Sequence, residues 1–248
     1  MTALSINLNK VALIRNSRQG NYPNVVQMAQ TCIDLGADGI TVHPRPDQRH
    51  IRPEDVCQLA SLISPLANVE YNIEGNPFAG PMAEYPGLLA LVEEANPDQC
   101  TLVPDSNNQL TSDHGFNLKD QGSKLTPIIK QIQSLGIRVS LFMDPDLEQI
   151  RLASEVGADR IELYTGPFAA AWNSDSLEEI FQQHVEAAKL ANSLGMGVNA
   201  GHDLNLNNLG KYASIENLLE VSIGHAFTVD SLMMGMPSAM RDYKALLD

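Results

Sequence analysis

Four of the six histidines, His43, His50, His202 and His225, fall at or just beyond the ends of short β-branched runs. Two glutamates, Glu74 and Glu162, lie on or end runs of the same kind. Imidazole titrates near neutrality, and a carboxyl on an apolar strand is raised toward that range by burial. Together they form a set fitted to general acid and base catalysis. A second pattern is the pair Gly201-His202 and Gly224-His225. Glycine lets the backbone approach an anion closely, so two such pairs at successive strand ends suit a phosphorylated ligand. Arg15, Arg18, Arg45 and Arg49 gather beside His50 and would supply local positive charge, although any one of them alone reads more readily as a surface ion pair. His114 falls in a polar loop, and His184 reads as a solvated helix residue.

These residues need a scaffold that brings them together, and the chain repeats one unit that could do so. Gly36, Gly136, Gly157 and Gly195 each close a segment, and each is followed by a short run of β-branched and other apolar residues that ends in polar groups. A glycine just past a helix provides the left-handed cap, and the run after it suits a buried parallel strand. Strands are expected at 4–8, 39–43, 69–75, 99–104, 139–142, 160–164, 197–200 and 220–224. Amphipathic helices are expected between them, over 24–35, from Pro53, and over 88–95. Residues 10–18 read as a basic segment after strand one. Asn76 to Gly87 reads as an insertion, and Asp105 to Gly115 as a long polar loop of the kind that covers sites. Eight such units in 248 residues favour an α/β fold, a single (β/α)8 TIM barrel over residues 1–248, rather than an open doubly wound sheet. Ligands then collect at the carboxyl ends of the strands, where the histidines are.

Composition narrows the function classes. The net charge of −14 opposes general affinity for nucleic acid or anionic lipid, and no apolar run is long enough to span a membrane. The amino terminus lacks the features of an export signal, and the odd set Cys32, Cys57 and Cys100 has no metal or redox spacing, so a cytoplasmic protein with reduced thiols is expected. No G-x-G-x-x-G or Walker pattern follows strand one, which disfavours a dinucleotide or P-loop site.

The segments Ile6 to Arg18, Gly36 to His50, Val198 to His202 and Ser222 to His225 resemble the pyridoxine 5'-phosphate synthase family, and the resemblance runs in order over nearly the whole chain. That family is a (β/α)8 barrel that condenses 3-amino-2-oxopropyl phosphate with 1-deoxy-D-xylulose 5-phosphate, giving pyridoxine 5'-phosphate, phosphate and water without cofactor or metal. The resemblance implies proton-acceptor roles for His43 and Glu74, a proton-donor role for His202, and transition-state stabilisation by Glu162. It places Asn7, Asn9, Lys10, Arg18, Arg45, His50, Thr111, Asp203, Gly224 and His225 on substrate and phosphate contacts, and implies a homo-octamer. Asn9-Lys10 stands where many members carry Asp-His, and Asp203 stands where Gly is common. The strand-three carboxylate is assigned as Glu74 rather than Glu70, because Glu74 directly ends its strand.

Two other readings fit the residues. A metal-dependent barrel hydrolase would use His43, His202, His225 and Glu162 as ligands, but strand one lacks the His-x-His such barrels often carry. An idle barrel would bind phosphorylated metabolites without turnover.

Overall fold

Gly36, Gly136, Gly157 and Gly195 adopt φ between +82° and +101°, and each turns a helix into the strand that follows. Around Gly36, for example, the N–H of Ala37 donates to the Cys32 carbonyl at 3.0 Å, closing the helix end as the glycine expectation requires. A further cap of this kind is Asn96, at φ 45°. Asparagine tolerates the left-handed region, so this unit carries no glycine signal. Beyond three of these caps an aspartate locks strand to strand. Asp38, Asp98 and Asp159 accept the backbone N–H of Leu4, Tyr71 and Val139 at 2.8–2.9 Å.

The computed structural model describes residues 1–106 and 109–248. Its strands are β1 (Ala3–Asn7), β2 (Gly39–Val42), β3 (Glu70–Gly75), β4 (Gln99–Leu102), β5 (Arg138–Met143), β6 (Arg160–Leu163), β7 (Gly197–Ala200) and β8 (Leu218–Ile223). All pair in parallel and in chain order, and β8 closes on β1, giving the expected barrel. The helices are α1 (Asn9–Asn16), α2 (Val25–Asp34), α3 (Pro53–Ile63), α4 (Leu88–Ala95), α5 (Leu118–Ser134), α6 (Leu147–Glu155), α7 (Gly166–Ala170), α8 (Leu177–Ser193), α9 (Leu209–Tyr212), α10 (His225–Met234) and α11 (Met236–Ala245).

The apolar core lies between barrel and helices. Outward residues such as Ile6, Ile40, Ile73, Leu102, Leu141, Ile161 and Val221 are buried there. Alternation then sends the intervening residues inward, and most of these are polar, with Phe142 an apolar exception at the cavity. Ser5, Thr41, Asn72 and Thr101 form a hydrogen-bonded band at 2.7–3.4 Å. Glu220 is held by Asn199 and Arg160 at 3.1 and 3.3 Å.

Two expectations need correction. The basic segment over 10–18 is mostly α1, which inserts a helix between β1 and α2. Its pattern is obscured because Lys10, Arg15 and Asn16 sit among the apolar positions. His184 is not solvated: it is fully buried, its Nδ1 lies 3.0 Å from the Tyr212 hydroxyl, and Phe168 packs on its ring. Burial lowers its pKa to about 4, so it is a neutral core residue.

Candidate active site

A cavity of about 570 Å3 opens at the carboxyl ends of the strands. It is lined by Asn7 at the end of β1, by Asn9 and Lys10 at the start of α1, by His43, Arg45 and His50 after β2, and by Glu74 on β3. Glu162 of β6, His202 and Asp203 after β7, Gly224 and His225 after β8, and Thr111 also line it. Arg18 is the one expected contact outside it; it lies exposed beyond the end of α1. The two candidate strand-three carboxylates are separated by the barrel. Glu74 lines the cavity, whereas Glu70 begins β3 at the opposite end and pairs with Arg138.

Hydrogen bonds from β1, α1 and the loop after β2 hold this cluster in place. Asn7 ends β1, accepts the N–H of Asn9 at 3.0 Å, and donates to Glu74 Oε2 at 3.3 Å. Asn9 Oδ1 accepts the backbone N–H of His43 at 2.9 Å, fixing the start of the loop after β2. The side chain of Asn16 donates to the carbonyls of Arg49 and His50 at 3.1 and 2.8 Å, and Arg15 donates to the His50 carbonyl at 3.0 Å. Arg15 is not a site cation: it is buried in an ion pair with Asp55, at 2.5 and 2.9 Å. His50 accepts the N–H of Ile51 on Nδ1 at 2.9 Å, which places the proton of the neutral ring on Nε2.

Burial sets the charges. His43 and His50 are each pushed down to about 3, first by desolvation and then by neighbouring positive charge, so both rings are neutral at physiological pH. Glu162 is raised to about 8 by desolvation and by Glu220, and Glu74 is raised well above the usual carboxylate range by desolvation and by Glu162. Both therefore hold protons near neutrality. His202 is lowered by burial, while the carboxylate of Asp203, 3.7 Å from Nε2, works in the opposite sense. Asp203 itself sits at φ 62°, a conformation glycine adopts without cost and aspartate tolerates.

Glycines shape the wall. A Cβ on Gly201 would lie 2.1 Å from the Ser222 carbonyl oxygen, so no side chain fits between the ends of β7 and β8. Gly224 precedes α10, whose first residues His225 and Ala226 line the cavity and turn a helix N-terminus toward it.

One site residue was missed in the sequence. Asp105 is buried after β4, with Oδ2 2.9 Å from Arg45 Nη2 and 3.4 Å from His43 Nε2. It follows the end of its strand much as Glu74 ends β3, so the strand-end rule applied to strand four would have found it. The loop from Asp105 to Gly115 includes Asn107 and Asn108, which lie outside the described residues. Arg45 donates to the carbonyls of Ser106 and Gln109 at 2.7 and 3.2 Å, and Arg49 to that of Gln109 at 2.9 Å. Among the described residues, no three His, Cys, Asp or Glu side chains are arranged to hold a metal ion.

A model of the family described as "Pyridoxal phosphate biosynthesis protein PdxJ" matches residues 4–248. The chain belongs to that family. A pyridoxine 5'-phosphate synthase of Xanthomonas campestris is 51% identical over 247 residues, covering 99% of this chain and 96% of the relative. One from Xylella fastidiosa is 49% identical over 248 residues, covering 100% and 95%. Beyond the PdxJ family, the fold is similar to 3-hexulose-6-phosphate synthase of Salmonella typhimurium, with TM-score 0.65, 16% identity and coverage of 99% and 98%. It is also similar to a 3-keto-L-gulonate-6-phosphate decarboxylase of Vibrio cholerae, with TM-score 0.64, 12% identity and coverage of 100% and 97%. At these identities the two likenesses extend to the barrel alone.

Proposed function

We infer that the chain is a pyridoxine 5'-phosphate synthase and that the cavity at the strand ends is its reaction site. The observation that carries this reading is full-length membership of the family together with one cavity that gathers His43, Glu74, Glu162 and His202. The substrates are 3-amino-2-oxopropyl phosphate and 1-deoxy-D-xylulose 5-phosphate, and the products are pyridoxine 5'-phosphate, phosphate and water.

Imine formation, loss of water and phosphate, and ring closure each move protons at carbons or hydroxyls. A neutral His43 accepts protons, with Glu74 beside it as the second acceptor once its own proton has moved. His202 donates, supported by Asp203. Glu162, protonated near neutrality, donates a hydrogen bond to charge that develops on oxygen. Each well-placed acid or base accounts for roughly 10²–10⁴-fold. The phosphates tether the substrates, one against the N–H groups at Gly224 and His225, with Arg45, His50 and Lys10 supplying further donors. Arg18, outside the cavity of the single chain, has no role that this geometry supports.

Exposed Leu13, Ile14, Tyr22, Leu232 and Met233 support self-association, with the homo-octamer as the specific proposal, and sedimentation velocity tests it. No described helix is long and apolar enough to cross a membrane, and Cys32, Cys57 and Cys100 are free thiols, which supports a cytoplasmic setting.

Purified protein mixed with both phosphates should form pyridoxine 5'-phosphate and inorganic phosphate in equal amounts. Tight binding without product, under conditions where the Xanthomonas campestris relative turns over, would leave the idle barrel as the better reading.

A further inference from the structure

Asp105 stands behind the acid and base cluster rather than within the cavity wall. Its side chain is buried, and Oδ2 makes no hydrogen bond of regular geometry, although it lies 3.4 Å from His43 Nε2 and 2.9 Å from Arg45 Nη2. A buried, unpartnered acceptor is costly, so its position needs a reason. The backbone holds it there. Asn76, two residues past Glu74, donates to the Asp105 carbonyl at 2.6 Å, and the N–H of Val103 donates to the Gly75 carbonyl at 2.9 Å. Glu74 and Asp105 are thereby fixed on opposite nitrogens of one ring, with Glu74 Oε2 3.8 Å from Nδ1.

We propose that Asp105 is a positioning residue for His43: its Oδ2 accepts from the ring Nε2–H, fixes that tautomer, and leaves the Nδ1 lone pair to take the substrate proton. An ionised carboxylate can only accept, so a neutral ring facing it must carry its proton on Nε2. Burial raises Asp105 to about 6 against the pull of Arg45 and Arg49, so it is ionised at pH 7.5. The arrangement does for His43 what an orienting carboxylate does for other functional imidazoles: it sets which nitrogen is the base and stabilises the ring when it takes a proton. Arg45 makes the hold firmer, since the same oxygen meets its guanidinium.

The proposal rests on the proton-acceptor role given to His43 above, and its test separates the two. Full-length protein labelled with 15N-histidine reports the tautomer of His43 directly, its signals assigned by their loss in His43→Gln. At pH 7.5 the ring should be the Nε2–H form. Asp105→Leu should convert it to a mixture of tautomers and lower kcat by about 10–100-fold, the range lost when the partner orienting a functional imidazole is removed. Asp105→Asn keeps the volume, so it guards against a folding defect; it should lower kcat in the same direction with its thermal midpoint little changed. An unchanged Nε2–H ring in Asp105→Leu, or kcat within twofold of the parent in both variants, would overturn the proposal. If the parent makes no product the synthase reading fails, while the tautomer measurement still decides whether Asp105 holds His43.

Discussion

His43 Nδ1 lies 3.8 Å from Glu74 Oε2, and burial drives the two groups in opposite directions, the imidazole down to about 3 and the carboxyl well above its usual range. The proton of this pair therefore rests on Glu74 near neutrality, and His43 waits as a neutral base. His43, with its pKa pushed down to about 3, should not itself set an acid limb near the ordinary histidine value. The acid limb of kcat/KM should instead lie near 6, where Asp105 titrates, and the basic limb near 8, where Glu162 loses its proton. A pH profile of Glu162→Gln checks the second assignment: the basic limb should disappear.

Glu162 also makes a statement about stability. Its folded pKa, about 8, exceeds the 4.5 of a free glutamate side chain, so between these values the folded protein binds more protons than the unfolded chain. Stability must then decline as pH rises through that window. Glu162→Gln removes the penalty, and urea unfolding should show it more stable than the parent at pH 8 by a few kcal/mol, with the difference gone at pH 4.5 or below. Equal stabilities at pH 8 would mean that Glu162 is ionised at little cost.

Arg15 and Asp55 form a buried bidentate pair that also holds the His50 carbonyl. Arg15→Met leaves the Asp55 carboxylate buried without its partner, which costs about 3–5 kcal/mol. Because Arg15 anchors the segment carrying His50, KM should rise in this variant even at temperatures where it is fully folded. Steady-state kinetics at low temperature alongside urea titration would show both effects.

Lys10 lines the cavity, and its charge bears on His202. Lys10→Ala should raise KM for the phosphorylated substrates by several-fold, with a smaller effect on kcat. The parent's KM should be the more salt-dependent of the two. A KM unchanged by the substitution would remove Lys10 from the binding set.

The sequence carried most of the barrel because its units are punctuated. Glycine caps and β-branched runs located β7 to the residue and set the other strands within a few positions of their ends, and α4 was placed to the residue without a glycine after it. Where polar residues dilute an apolar face, as in α1, the signal weakens and the reading slips. The site was legible wherever a residue both ends a strand and carries its chemistry in its type, as His43, Glu74 and His202 do. Asp105 and Asn9 escaped notice in their actual parts, one behind an imidazole and one holding its backbone, because such roles depend on distances between strands. Arg15 shows the converse: an arginine counted with the site cations is consumed by a carboxylate on a neighbouring helix.

The central claim is that chemistry occurs at the carboxyl ends of the strands, with Glu74 beside His43 as a proton acceptor. Parallel kcat measurements on Glu74→Gln and Glu70→Gln test it most directly, since both residues share β3 and lie at its opposite ends. The account predicts a loss of at least about 10²-fold for Glu74→Gln and activity within a few-fold of the parent for Glu70→Gln. Abolished turnover in Glu70→Gln with Glu74→Gln still active would contradict it.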